Sequence, residues 1–196
     1  MDEIKQKKEE IRLQIIEYLK QLPERKLNEL NIDMINRLFG LANFFEAAIV
    51  LLYIGNQYDP SYKLLIKETV KTGKIVALPF SSKDSEELEF FKIDNLKQDL
   101  IKDKNGVLKP DISKCKKVPA DHLDIALIPG FAFDEKGGRL GLEECIYNDE
   151  IIPNLPITVR KVSVCFEEQI IPNIPMEAND KYVDIIVSSE RIIYKI

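Results

Sequence analysis

The residues best suited to chemistry lie in "LIPGFAFDEKGGRLGLEECIYNDE", residues 127–150. An apolar run meets Pro129 and Gly130, and a charged Gly137-Gly138 turn then delivers Arg139, whose planar guanidinium can grip a phosphate through two bonds. Where further glycines would complete a phosphate loop, Glu143, Glu144 and Cys145 follow. Far upstream, Lys8 and Arg12 stand at i, i+4 and share one helix face, although "KQKKEEIR" also reads as an ordinary solvated face. Three aspartates sit beside turn residues. Asp59, before Pro60, suits a helix N-cap as well as a ligand. Asp134 with Gly137 and Gly138 has turn chemistry. Asp180, in "EAND", is a loop aspartate preceding a strand.

These residues need elements to hold them. "DEIKQKKEEIRLQIIEYLKQL" places Ile4, Ile11, Ile15, Ile16 and Leu19 at helical spacing among strong helix formers, so an amphipathic helix ends near Pro23. A second helix is expected across residues 28–47. "AAIVLLYIG" then reads as a strand buried on both faces, "PSYKLLIKETVKTG" as a helix between Pro60 and Gly73, and "KIVALPF" as the next strand. Together they make a βαβ unit with a parallel pair. Between residues 81 and 120 a strand is expected at "LEFFKI", a short helix at "NLKQDLIK" and a loop through "KPDISKCKKVPADH". "LDIALIPGFAF" reads as one buried strand. "ITVRKVSVCFEE" and "VDIIVSSERIIYKI" supply further strands, with a turn at Ser189-Glu190. The expected fold class is α/β, a mostly parallel central sheet flanked by helices, in a single domain over residues 1–196. Ligands of such sheets lie beyond the carboxyl ends of the strands, where residues 129–141 fall.

Composition narrows the function. An apolar fraction of 45% and a charged fraction of 31% belong to a globular protein, and no apolar run approaches the ~18 residues of a membrane span. The charged start "MDEIKQKKEEIRLQ" is not a secretory signal, so a cytoplasmic location is expected. A net charge of −5 with interspersed signs argues against nucleic acid as a partner. Cys115, Cys145 and Cys165 show no CxxC spacing and suit reduced thiols, and His122 is the only histidine, so zinc is not expected.

"DIALIPGFAFDEKGGRLG", preceded by "GKIVALP" and followed by "CFEEQIIPNIPMEANDKYVDIIVSSE", resembles the 5-formyltetrahydrofolate cyclo-ligases, the methenyltetrahydrofolate synthetases. The resemblance covers most of the chain in order, including the N-terminal KxxxR as Lys8 and Arg12. It implies a Rossmann-like fold, ATP and magnesium as cofactors, a reduced folate as substrate and a monomer. It also implies site residues. Lys8, Arg12, Arg139, Leu140, Gly141 and Tyr147 would bind ATP, with Arg139 also catalytic. Asp59 and Tyr147 would bind the folate, and Asp180 and Asn148 would hold magnesium.

The chain departs from that family in the loop after Arg139. Aligned with the family's RLGyGgGYYDr, "RLGLEECIYND" puts Glu143, Glu144 and Cys145 on glycines, Ile146 and Tyr147 on the tyrosine pair, Asn148 on the metal aspartate and Asp149 on an arginine. Glycines there let backbone N–H groups approach phosphate oxygens. A carboxylate ~5 Å from a phosphate charge, at an effective dielectric near 20, is repelled by roughly 3 kcal/mol. Lys109-Pro110 replaces a frequent Glu-Pro, and Asn179 replaces the histidine before Asp180. Three readings follow: an ATP-dependent cyclo-ligase, a non-catalytic relative that binds a folate, another small molecule or a protein partner, and an enzyme of altered chemistry using Glu143 or Glu144 as acid or base.

Overall fold

The computed structural model describes residues 2–55, 59–82, 85–104, 106–141 and 147–195. Glu143, Glu144, Cys145 and Ile146, on which much of the loop reading rests, lie outside the described residues.

An eight-stranded sheet forms the centre, in the order β12-β11-β10-β7-β1-β2-β3-β6. Its inner strands are β1 (Ile49–Leu51), β2 (Ile75–Ser82), β7 (Ile125–Leu127), β10 (Arg160–Val164) and β11 (Ile185–Val187), all parallel to their inner neighbours. The edges are antiparallel: β12 (Ile192–Tyr194) pairs with β11, and β3 (Ser85–Ile93) lies between β2 and β6 (Lys117–Val118). The α/β class with a mostly parallel sheet is thus what the sequence pattern indicates.

Alternate residues of the inner strands feed two cores, as a sheet covered on both faces requires. Val50, Leu52, Val76, Leu78, Leu127 and Val164 pack with Met34, Leu38, Phe44 and Leu65 of the helices α2 (Glu24–Gly40), α3 (Ala42–Glu46) and α4 (Tyr62–Lys71). Leu51, Ala77, Ala126 and Ile128 face the other way, onto Phe90, Leu123, Phe133, Ile151 and Cys165. A third cluster joins Ile15 and Leu19 of α1 (Asp2–Gln21) to Phe131, Ala132, Leu140 and Phe166. That cluster docks α1 on the small hairpin of β8 (Ala132–Phe133) and β9 (Arg139–Leu140), which carries Arg139.

Several expectations are corrected. The helix expected over 28–47 starts at Glu24 and breaks at Leu41, whose extended backbone ends α2 and opens α3. "NLKQDLIK" is a turn followed by β4 (Leu100–Lys102), which pairs antiparallel with β5 (Leu108–Pro110) inside the stretch expected to be loop. Asp99 organises that turn, its carboxylate accepting from the N–H groups of Asp94 and Asn95 at 2.8 and 2.7 Å. "LDIALIPGFAF" is two strands, since Pro129 has no N–H to continue the ladder and β8 leaves the sheet. Asp59 does not cap α4. Ser61 does, its Oγ accepting from the Leu64 N–H at 3.4 Å.

Candidate functional site

β1 sends its helix and β2 to one side, whereas β7 lies on the other, so the strand order reverses between β1 and β7. A crevice opens beyond the carboxyl ends at such a point. Here it is a cavity of about 480 Å³, bounded by Ile54 and Gly55 after β1, Pro129 to Phe131 after β7, and Asp59, Tyr62, Val107 and Tyr147. Its walls are mainly apolar, and among the described residues Asp59 is its one carboxylate. Beside it is Tyr53, a fully buried phenol whose pKa is driven well above its ordinary value by burial, and then by the charges of Asp59, Tyr147 and Cys165.

A second cavity, of about 400 Å³, is polar. Lys5, Lys8 and Arg12 from α1 face Leu140 and Gly141 of the hairpin end, Asn148 and Asp149, and Glu177, Asn179 and Asp180 of the loop before β11. Asn148 lines this cavity and Tyr147, the residue before it, lines the apolar one. Three cations and three carboxylates balance among these residues.

Arg139 joins the two. It is wholly buried, so its charge is held inside the fold and not on a solvent-exposed turn. Its Nη1 donates to the Pro129 carbonyl at 2.8 Å, and its Nη2 donates to Oδ1 of Asn148. Gly130 makes room for it: a Cβ there would meet the Phe133 ring at 2.7 Å and the Arg139 Cγ at 3.0 Å. Asp134 fixes the turn behind it. Its Oδ1 accepts from the N–H groups of Lys136 and Gly138, each at 2.9 Å, and its Oδ2 accepts from that of Ile174 at 2.8 Å. A Cβ on Gly138 would lie 2.5 Å from that carboxylate. The turn reading of Asp134 therefore stands, with the loop leading to Asp180 anchored as a consequence.

Lys8 is 7% exposed, so the solvated-face reading fails for it. Its Nζ lies 2.5 Å from Asp180 Oδ2 and 2.7 Å from Glu177 Oε2. Burial pulls its pKa down, but the hydrogen bonds to Asp180 and Glu177 more than offset that and hold it above its ordinary value. Arg12 donates from Nε to the Gly141 carbonyl at 3.1 Å and from Nη1 to Glu9 at 3.0 Å. Asn148 Nδ2 in turn reaches Asp180 Oδ1 at 3.2 Å.

Of the residues singled out in the sequence, Lys8, Arg12, Leu140, Gly141, Asn148 and Asp180 thus meet in one cavity. Asp59 and Tyr147 meet in the other, and Arg139 lies between. Lys5, Asp149 and Glu177 also line the polar cavity without having been read as site residues. Lys5 had a signal, three residues before Lys8 on the same helix face. Glu177 had one in the resemblance, since it stands in the "PMEAND" run three residues before Asp180, but nothing local points to its partner Lys8, 169 residues away.

Among the described residues, no three His, Cys, Asp or Glu side chains cluster as a metal site. Asp180 nevertheless offers carboxylate oxygens of the hard type magnesium prefers, whereas the Asn148 oxygen accepts from Arg139 and its amide nitrogen faces Asp180, so Asn148 would have to turn over to join it. Such a sparse set fits a magnesium that takes its remaining ligands from nucleotide phosphates and water. No helix in the described residues is long and apolar enough to cross a membrane.

Comparison with known proteins agrees with this architecture. The chain is 28% identical over 203 residues to a probable 5-formyltetrahydrofolate cyclo-ligase of Schizosaccharomyces pombe, covering 97% of this chain and 98% of the relative. It is 20% identical over 151 residues to the 5-formyltetrahydrofolate cyclo-ligase of Mus musculus, covering 70% and 71% respectively. Among solved structures, the 5,10-methenyltetrahydrofolate synthetase of Aquifex aeolicus superposes with a TM-score of 0.81 at 24% identity, covering 96% of this chain and 92% of that one. The synthetase of Mycoplasma pneumoniae gives 0.70 at 17%, covering 93% and 98%. Residues 4–189 match the profile of the 5-formyltetrahydrofolate cyclo-ligase family, and the chain belongs to that family.

Proposed function

We propose that the protein converts 5-formyltetrahydrofolate to 5,10-methenyltetrahydrofolate at the expense of ATP, with magnesium. The observation that carries this reading is the pair of adjoining cavities, one apolar with a single carboxylate among the described residues and one polar with three cations facing three carboxylates, linked through Arg139. A planar pterin suits the first and a triphosphate the second.

In the reaction the formyl oxygen attacks the γ-phosphorus of ATP and ADP departs with the electrons of the broken P–O bond. The neighbouring folate amine then attacks the activated formyl carbon. Phosphate leaves with the C–O electrons and the amine gives up its proton, which closes the ring. Such phosphoryl transfer depends on positioning and on fixed positive charge. Arg139, already buried, would meet developing charge on the transferred group without having to be desolvated first. Lys8 and Arg12 would hold the outer phosphates, with Leu140 and Gly141 shaping the wall. Asp59 would accept hydrogen bonds from ring N–H groups of the folate, and the Tyr147 ring would cover its face. Asp180 and Asn148 would hold magnesium, which when bound would neutralise phosphate charge.

A second reading is a homologue that binds folate without the chemistry. It is favoured by the charge balance among the described residues of the polar cavity, where both oxygens of Asp180 and the Lys8 ammonium are already engaged. Incubation with 5-formyltetrahydrofolate, ATP and magnesium decides between them. Formation of the methenyl product with ADP in equal amounts supports the enzyme, and folate binding with no product supports the homologue. We further propose a monomer in the cytoplasm with no nucleic-acid or membrane partner.

A further inference from the structure

Glu177 has no role in the function proposed above, yet it makes one of the two ion pairs that hold the buried Lys8. The turn that carries it is closed on itself. The Glu177 N–H donates to Asp180 Oδ2 at 2.8 Å, and the Asp180 N–H donates to the Glu177 carbonyl at 3.1 Å. Two carboxylates are thereby fixed side by side, and the Lys8 ammonium sits against both, at 2.5 and 2.7 Å. Lysine carries a compact charge on a flexible four-carbon stem, so it can change partners without moving its helix. A polyphosphate entering alone would have to take Lys8 from two anions in a cavity whose described residues carry as many carboxylates as cations, a poor exchange at short range.

We infer that Glu177 is a positioning residue for Lys8: with Asp180 it holds the Lys8 ammonium until the charge of the two carboxylates is taken up by a divalent cation, and Lys8 is then released to phosphate oxygens. Magnesium dependence of nucleotide binding is thus built partly into a residue that need not touch the nucleotide. The inference rests on the polar cavity being the nucleotide site.

The test is calorimetric titration with inorganic tripolyphosphate, with and without magnesium, of the wild-type chain, Glu177→Gln, Lys8→Ala and the double variant. Glutamine is nearly isosteric and the Glu177 side chain is 31% exposed, so the variant keeps the turn; Glu177→Ala serves as a second form. The wild type should bind the probe weakly alone and more tightly with magnesium. Glu177→Gln should gain about tenfold in magnesium-free affinity, about 1.4 kcal/mol, and its magnesium enhancement should shrink accordingly. The gain should vanish in the Lys8→Ala background, because it acts through Lys8. Equal magnesium-free affinity and equal enhancement in wild type and Glu177→Gln would overturn the inference and leave the nucleotide site standing. So would a gain that persists without Lys8, since that is bare charge removal. Absence of binding to every form, with or without magnesium, would overturn the inference and the nucleotide reading together.

Discussion

The Arg139 guanidinium donates to the Pro129 carbonyl at 2.8 Å, which ties the end of the hairpin to the break after β7. Because Pro129 borders the apolar cavity and Asn148, the other partner of Arg139, borders the polar one, a single buried side chain sets the relation between the two. Arg139→Lys keeps the charge but has no planar fork to reach both partners. It should bind ATP at least tenfold more weakly while remaining folded. Arg139→Ala leaves a void and orphaned acceptors and should cost about 2–5 kcal/mol of stability. Denaturant unfolding and calorimetry on the two variants check both figures.

Asp134 organises the same hairpin from behind. Asp134→Ala strands the N–H groups of Gly138 and Ile174, both buried, and should destabilise the fold by about 3 kcal/mol. Since Ile174 leads into the loop bearing Glu177 and Asp180, polyphosphate affinity should fall as well. Gly138→Ala, which pushes a methyl group against that carboxylate, should cost about 1–3 kcal/mol by chemical denaturation.

Among the described residues Asp59 is the only carboxylate of the apolar cavity, and Ser61 has taken the capping task. Asp59→Asn should therefore leave α4 intact and weaken folate binding by about 10–100-fold, as expected for the loss of hydrogen bonds to a charged acceptor. Affinity for ATP should be unchanged. Fluorescence or calorimetric titration with each ligand separates the effects, and a fall in thermal stability instead would mean that Asp59 is structural.

Tyr18 fastens the far end of α1, its hydroxyl donating to Glu168 Oε1 at 2.6 Å. That hydrogen bond, with burial and the carboxylate's charge adding to it, raises the phenol from 10.0 to about 12. A raised pKa means that the folded state favours the neutral form. The contribution is complete below pH ~10, the unfolded value, and is lost as pH rises through about 12. Ultraviolet titration of the wild type minus Tyr18→Phe should show one phenol ionising near 12, and a difference curve centred near 10 would count against the contact.

Cys165 is wholly buried, and burial followed by the charges of Glu167 and Glu168 drives its thiol far above the ordinary range. It should resist alkylation at neutral pH in the folded chain and react only on unfolding. Mass-spectrometric mapping of labelled peptides across a denaturant series tests this.

How far the sequence reveals this molecule varies along it. The β1–α4–β2 unit is readable because "AAIVLLYIG" and "KIVALPF" are continuous apolar runs of a sheet buried on both faces, and Gly73 closes the helix between them. "NLKQDLIK" misleads because its helix-forming residues are overridden by pairing with β5 and by the Asp99 turn, neither of which leaves a local pattern. In the site, "PGFAFDEKGGRLG" marks Arg139 and its supporting turn because one hairpin holds the whole motif. Lys8, Glu177 and Asp180 are a different case. Their chemistry lies in ion pairs between the first helix and a loop near the other end, and charge spacing along either segment does not announce the partner.

The central claim is that the polar cavity binds ATP beside a folate in the apolar one. The most direct test is calorimetric titration of the protein with a non-hydrolysable ATP analogue plus magnesium, with and without 5-formyltetrahydrofolate. Micromolar binding of the analogue, tightened by the folate, is the predicted result. Binding of the folate with no detectable binding of the analogue in either condition would contradict it and leave a family member that kept the pocket without the reaction.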